Sequence, residues 1–208
     1  SNGGGSSAAV NVAENTTAVT SVTATDADLP AQTLTYSISG GADAARFTIN
    51  ASTGVLRFIA APNYEAPTDA GANNAYDLIV QASDGTLSDT QAIAVTVTAL
   101  NDNNPVITSN GGGATAAINV AENATAVTTV SATDADLPAQ TLTYSISGGA
   151  DAAKFSVNAS TGVLSFIAAP NYEAPTDVGA NNVYDVTVRV SDGTLADTQA
   201  IAVTVTPV

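Results

Sequence analysis

The chain is one unit written twice. Ser1-Asn2-Gly3-Gly4-Gly5 returns as Ser109-Asn110-Gly111-Gly112-Gly113, a period of 108 residues, and roughly 80 of the first 100 residues recur unchanged in the second copy. Whatever fold one copy adopts, the other must adopt too, so two domains of ordinary size are expected. Between the copies lies Asn101-Asp102-Asn103-Asn104-Pro105, a short joint rich in side-chain oxygens. In repeat arrays the special chemistry sits where neighbours meet. The expected division is repeat 1 over residues 1–100, a joint over 101–105, and repeat 2 over 106–208.

Period-2 alternation dominates each copy, which predicts strands with one buried face. Leu34, Tyr36 and Ile38 alternate with Thr33, Thr35 and Ser37; Tyr76, Leu78, Val80 and Ala82 alternate with Asp77, Ile79 and Gln81; Ile93, Val95 and Val97 alternate with alanines and threonines. Shorter strands are expected at Val10–Ala13, Val19–Ala24, Phe47–Asn50 and Val55–Ile59. Ser52-Thr53-Gly54 reads as the turn of a hairpin, because glycine takes positive φ freely. No segment carries a helical period. About seven short strands in about 100 residues indicate an all-β fold: two tandem Greek-key, immunoglobulin-like β-sandwiches, expected end to end because the joint is short and ends in proline. The longest loop runs from Pro62 to Asn74, and the stretch Asp69–Asn74 reads as solvated, with a further cation site as the alternative.

Composition narrows the chemistry. Nineteen acidic residues against four basic ones give a net charge of −15, which argues against nucleic acid and anionic membranes as partners. Histidine, cysteine, methionine and tryptophan are all absent. Zinc, copper, haem and iron–sulfur sites therefore lack their ligands, and catalysis by imidazole or thiolate is excluded. Oxygen-loving cations remain, calcium first. No apolar run reaches membrane-spanning length, and no signal peptide is expected in this stretch. Lack of disulfides leaves an extracellular location open, with stapling by some other means.

The acidic residues cluster at strand ends: Val12-Ala13-Glu14-Asn15, Ala24-Thr25-Asp26-Ala27-Asp28, Asn63-Tyr64-Glu65, Ala82-Ser83-Asp84-Gly85, and then the joint. In this order, and twice over, the chain resembles a pair of cadherin repeats of the bacterial cadherin-like style. The resemblance implies calcium between consecutive repeats. The first repeat would offer Glu14 and Glu65, with Asn63 beside them. The joint would offer the Asn101 side chain, Asp102 and the Asn103 carbonyl. The second repeat would offer Asp134, Asp136 and Asp192. Two positions depart from the family pattern: Asn63 stands where the family has aspartate, and Ala99 where it has an acidic residue. Two to three calcium ions are expected at the joint. Two half-sites are left over: Asp26, Asp28 and Asp84 in copy one, and Glu122 and Glu173 in copy two. Asp43 lies outside the constellation, and its replacement is expected to change neither calcium affinity nor the joint.

Elementary electrostatics agrees with the implied ligand set. Calcium takes six to eight oxygens. Glu14, Glu65, Asp102, Asp134, Asp136 and Asp192 would gather about six negative charges, and two or three divalent ions would offset most of them. At tenfold saturation each site would stabilise the assembled state by about 1.4 kcal/mol.

Each motif taken alone is an ordinary turn or a solvated acid. Paired carboxylates can serve a glycosidase, but no second residue type supports catalysis, and no enzyme activity is expected. The acceptor patterns Asn15-Thr16-Thr17 and Asn50-Ala51-Ser52 arise readily by chance in Ser/Thr-rich sequence. The expected role is a calcium-rigidified adhesion or stalk module of a bacterial cell-surface or secreted adhesin, with neighbouring repeats of the same chain as its partners. The alternative is a calcium-dependent binding module for polysaccharide or for an identical partner.

Overall fold

Alternation in the sequence becomes alternation in space. In the strand Ala75–Ser83, Tyr76, Leu78 and Val80 are buried while Asp77 and Ile79 face outward. The structure, a computed structural model, describes residues 4–208. The chain divides into two units, Ser1–Leu100 and Asn101–Val208.

Unit 1 has seven strands: β1 (Ser7–Ala13), β2 (Ala18–Ser21), β3 (Thr35–Gly40), β4 (Phe47–Ile49), β5 (Val55–Phe58), β6 (Ala75–Ser83) and β7 (Ser88–Thr98). They form a sandwich of a four-stranded sheet, β1-β7-β6-β3, and a three-stranded sheet, β2-β5-β4. All pairings are antiparallel except β1 with β7, which run parallel from Ser7↔Ala92 to Ala13↔Thr98. Between the sheets Phe47 lies 4.4 Å from Phe58, and Tyr76 meets Phe58 edge-on at 5.1 Å, an arrangement favoured by the ring quadrupole. Leu56 and Val95 are wholly enclosed; full burial of such side chains contributes about 1.5–3 kcal/mol each.

Unit 2 repeats these elements as β9 (Thr115–Ala121), β10 (Ala126–Thr129), β12 (Thr143–Gly148), β13 (Phe155–Val157), β14 (Val163–Phe166), β15 (Val183–Ser191) and β16 (Ala196–Thr206). Its sheets are β12-β15-β16-β9 and β10-β14-β13, and β9 runs parallel to β16. It also has a short ladder with no counterpart in unit 1 among the described residues: β8 (Val106–Ile107) pairs with β11 (Ala132–Thr133).

The hairpin expected at Ser52-Thr53-Gly54 forms. Asn50 Oδ1 accepts the N–H groups of Ser52 and Thr53, and Gly54 sits at φ 65°. A Cβ on Gly54 would lie 2.1 Å from the Val22 carbonyl oxygen, so this position needs glycine for space as well as for φ. The stretch expected over Val19–Ala24 ends at Ser21, and the Val22 N–H still bonds the Gly54 carbonyl at 2.8 Å beyond it. Helical structure among the described residues is confined to the single 3-10 turns Ala44–Arg46 and Ala152–Lys154.

In the stretch Asp69–Asn74, expected to be solvated, residues 70–73 are exposed, but the two ends turn inward. Asp69 is buried, and its carboxylate accepts the N–H groups of Gly71, Asn73 and Asn74 at 3.0 Å each. Asp43, which the sequence leaves without a role, is buried as well. Its two oxygens take Ala70 N–H at 2.7 Å and Asp77 N–H at 2.9 Å, tying the loop to β6. The Tyr76 hydroxyl accepts the Thr68 N–H at 3.2 Å. Acidic side chains here replace the ladder partners that loop amides lack. The loop therefore holds Glu65 on a fixed frame.

Candidate metal centre

The end of unit 1 where β1 and β7 finish is organised by Glu14, the first residue after β1. It is buried, and Oε2 accepts the Tyr64 N–H at 2.8 Å while Oε1 accepts the Leu100 N–H at 2.7 Å. The Asn15 N–H bonds the Pro62 carbonyl at 2.9 Å, fastening the long loop beside it. Glu65 lies in that loop, and the two glutamates each bring a carboxylate oxygen within 4.8 Å of the other. Asn63 is exposed, and its Oδ1 accepts Glu65 N–H at 2.7 Å and Ala66 N–H at 3.1 Å. Its amide oxygen thus shapes the turn that presents Glu65.

The end of unit 2 where the chain enters gathers a denser set. Asp134 and Asp136 follow β11, and Asp192 follows β15. Each offers a carboxylate oxygen within 4.8 Å of the others. Asp136 is buried and draws in the entering chain: Oδ1 accepts Asn103 N–H at 3.1 Å and Asn103 Nδ2 at 2.7 Å. Asp134 Oδ1 accepts Asp136 N–H at 3.1 Å, while its Oδ2 is buried and accepts no hydrogen bond. Burial opposes ionisation of Asp192, but the N–H groups of Thr194 and Leu195 and the Asn101 amide outweigh it and hold the carboxyl below its ordinary range. Asp102 is exposed, and its Oδ1 accepts Asn103 Nδ2 at 2.8 Å.

The Asn101 amide meets different partners according to which of its atoms, oxygen or nitrogen, faces the carboxylates. In one orientation, Nδ2 donates to Gln140 Oε1 at 2.7 Å and the amide oxygen faces the carboxylates of Asp136 and Asp192. In the other, the amide nitrogen donates to Asp136 Oδ2 at 3.2 Å and Asp192 Oδ2 at 3.1 Å. The first turns a third oxygen toward two carboxylates, which a cation between them would favour; the second is favoured without one. Gln140 escaped the sequence reading. Its Nε2 also reaches Asp136 Oδ2 at 3.4 Å, and a glutamine four residues past an aspartate carries no metal signal of its own.

The two leftover half-sites differ. Asp26, Asp28 and Asp84 come together within 4.8 Å at the opposite end of unit 1 from Glu14. Asp84 is held below the usual carboxylate range by the N–H groups of Leu87 and Thr86, its oxygen 2.6 Å from each nitrogen. In unit 2, Glu122 accepts Tyr172 N–H at 3.0 Å and Val208 N–H at 3.2 Å, and those donors lower its pKa. Glu173 lies in the same loop as Tyr172, its N–H bonded to Asn171 Oδ1 at 2.9 Å.

The donors gathered at both ends are carboxylates, with side-chain amides beside them. An orphaned carboxylate oxygen on Asp134, next to two further carboxylates, suits a hard divalent cation such as calcium.

Comparison with known proteins agrees with this frame. The cadherin-domain family model matches residues 8–99 and again residues 116–206. Protocadherin Fat 1 of Homo sapiens is 32% identical over 212 aligned residues, which take in 96% of this chain and 4% of that protein. Protocadherin Fat 4 of Mus musculus is 36% identical over 192 residues, 90% of this chain and 4% of that protein. The chain thus spans a small fraction of the relatives it matches. Among solved structures, extracellular cadherin domains 3–6 of protocadherin gamma B2 superpose with a TM-score of 0.68 at 25% identity, over 97% of this chain and 50% of that one. Human protocadherin-24 EC1-2 superposes at 0.70 with 20% identity, over 95% and 93%, a likeness of fold. No described helix is long and apolar enough to cross a membrane. The chain belongs to the cadherin domain family, as two tandem repeats.

Proposed function

We propose that this pair of repeats is a calcium-stiffened adhesion or stalk module of a bacterial cell-surface or secreted adhesin, and that calcium binds where the chain passes from repeat 1 to repeat 2. Cadherin domains characteristically bind calcium at repeat junctions. The observation that carries the reading is the Asp134, Asp136 and Asp192 cluster with the unbonded, buried Asp134 Oδ2. Glu14 supports it from the other side: it holds the N–H of Leu100, one peptide bond from Asn101. The proposed ligands are Glu14, Glu65, Asn101, Asp102, Asn103, Asp134, Asp136 and Asp192, for two to three ions. Asn63 acts beside them by shaping the Glu65 turn. Near-duplicate units and high acidity suit an extended spacer.

With calcium bound, charge repulsion among these acids falls and the short joint loses its freedom. Small-angle X-ray scattering of the chain in EDTA and in millimolar calcium tests this. A broad distance distribution that narrows to one extended form on adding calcium is the expected result. Identical profiles in both buffers would remove the mechanism.

A further inference from the structure

The dipeptide Asn110-Gly111 can react with itself: glycine puts no side chain in the way of its own nitrogen, and the asparagine amide carbon is one five-membered ring away. In unit 2 the pair forms the middle of a tight turn. The Gly112 N–H closes it on the Ser109 carbonyl at 3.0 Å, with φ 53° at Asn110 and 87° at Gly111, values that an Asn-Gly pair adopts readily. Gly111 is exposed, so solvent reaches the turn. The half-buried Asn110 side chain is gripped at both ends. Nδ2 donates to Gln199 Oε1 at 3.2 Å, and Oδ1 accepts the Thr128 hydroxyl at 3.0 Å. Gln199 is wholly buried, and its Nε2 donates to the carbonyls of Gly113 at 2.8 Å and Ser109 at 3.4 Å. With that nitrogen committed to two acceptors, Gln199 turns its oxygen to Asn110, which fixes the orientation of the Asn110 amide. None of these residues is among the proposed calcium ligands.

We propose that Asn110-Gly111 is a self-modification site, held closed by the clamp of Gln199 and Thr128 and converted to aspartate or isoaspartate when the clamp opens. The Gly111 nitrogen, having lost its proton to hydroxide, forms a bond to Asn110 Cγ. The Cγ–Nδ2 bond then breaks, and Nδ2 leaves as ammonia with a proton from water. The cyclic imide left behind adds water. Cleavage between its ring nitrogen and Cγ gives aspartate; cleavage between that nitrogen and the main-chain carbonyl carbon gives isoaspartate. Water is the co-reactant, and nothing is oxidised or reduced. In the folded unit the ring cannot close without loss. Asn110 Cγ must swing to the Gly111 nitrogen, which breaks both side-chain bonds, and the backbone between the two residues must rotate, which opens the turn. The change is also one-way. A carboxylate at position 110 sets an oxygen against Gln199 Oε1, and Gln199 has no donor left to offer it. Isoaspartate adds a carbon to the main chain inside a closed turn. A unit 2 that has opened thus keeps a permanent mark of it.

The test holds the full chain in warm, mildly alkaline buffer with EDTA, folded or in urea, and follows conversion of Asn110 by digestion and mass spectrometry. Asn2-Gly3, the same dipeptide, is counted separately. Asn110 in the folded chain should convert roughly tenfold more slowly than in urea, as two lost side-chain hydrogen bonds require. Thr128→Val keeps a similar shape without the hydroxyl and should speed the folded chain several-fold, as should Gln199→Ala. The rate should rise with pH, because the attacking nitrogen is an anion. If Gln199→Ala does not fold, as its circular dichroism would reveal, Thr128→Val decides. Asn110→Asp, the product without the lengthened chain, should exchange the Gly112 N–H faster than the parent. Equal rates for the folded parent and the chain in urea would overturn the proposal. So would a folded Thr128→Val chain that converts no faster than the parent, or parent-like Gly112 protection in Asn110→Asp.

Discussion

Glu14 Oε1 accepts the N–H of Leu100 at 2.7 Å, so the carboxylate that follows the first strand of unit 1 also grips the second residue beyond its last. Its other oxygen holds Tyr64. Glu14→Ala strands two backbone donors in a buried place and should cost unit 1 about 2–4 kcal/mol in urea unfolding, even in EDTA. Glu14→Gln, which keeps one acceptor, should lose less. An unchanged urea midpoint for Glu14→Ala would mean that water replaces both bonds and that Glu14 serves the metal alone.

Asp43→Ala separates framework from metal site. The side chain joins Ala70 and Asp77 to the 3-10 turn beside it. Its loss should destabilise unit 1 by about 2–4 kcal/mol with calcium affinity unchanged in titration calorimetry. A fall in affinity without a fall in stability would place Asp43 in the calcium system.

Asp69 makes unit 1 sensitive to acid. Burial works against its charge, but the N–H groups of Asn73, Asn74 and Gly71 prevail and lower its pKa from the ordinary carboxylate value of 3.8. A carboxyl lowered by folding stabilises fully above its unfolded pKa, and that contribution is lost as pH falls through the folded value. Unit 1 should therefore hold its stability from neutrality down to about pH 4 and weaken below it. Asp69→Asn should flatten this acid limb, as followed by thermal unfolding between pH 5 and pH 2. A parallel acid limb in wild type and variant would show that other carboxylates dominate.

The sandwich was legible in the sequence because burial follows parity. Tyr76, Leu78 and Val80 share one parity and each went inside, while Asp77 and even the apolar Ile79, of the other parity, face outward. The acidic triads were legible from residue type and order: Asp134, Asp136 and Asp192 converge, as do Asp26, Asp28 and Asp84. Less was legible where a side chain serves a distant backbone. Asp43 and Asp69 look like surface acids, since nothing in the local pattern says that loop amides lacking ladder partners will claim them. Gln140 was missed for a related reason: its partners Asn101 and Asp136 are chosen by the fold, 39 and 4 residues away.

Among the proposed calcium ligands, Asp102 can be tested with little risk to folding. Asp102 is exposed, and its Oδ1 accepts the neighbouring Asn103 amide. Asp102→Ala should lower calcium affinity at least several-fold and keep the scattering profile broad at calcium levels that narrow the parent. Both units should still unfold at the parent's denaturant midpoints in EDTA. Parent-like affinity would take Asp102 out of the site.

The parallel pairing of β1 with β7, and of β9 with β16, governs how each unit bears tension. The chain enters a unit at one end of this ladder and leaves at the other. Force applied through the two termini therefore slides the paired strands past each other lengthwise. The seven residue pairs from Ser7↔Ala92 to Ala13↔Thr98 are loaded together, whereas a hairpin pulled at its open end unzips bond by bond. A unit wired this way meets tension in shear, all along the ladder at once, and not at one bond after another.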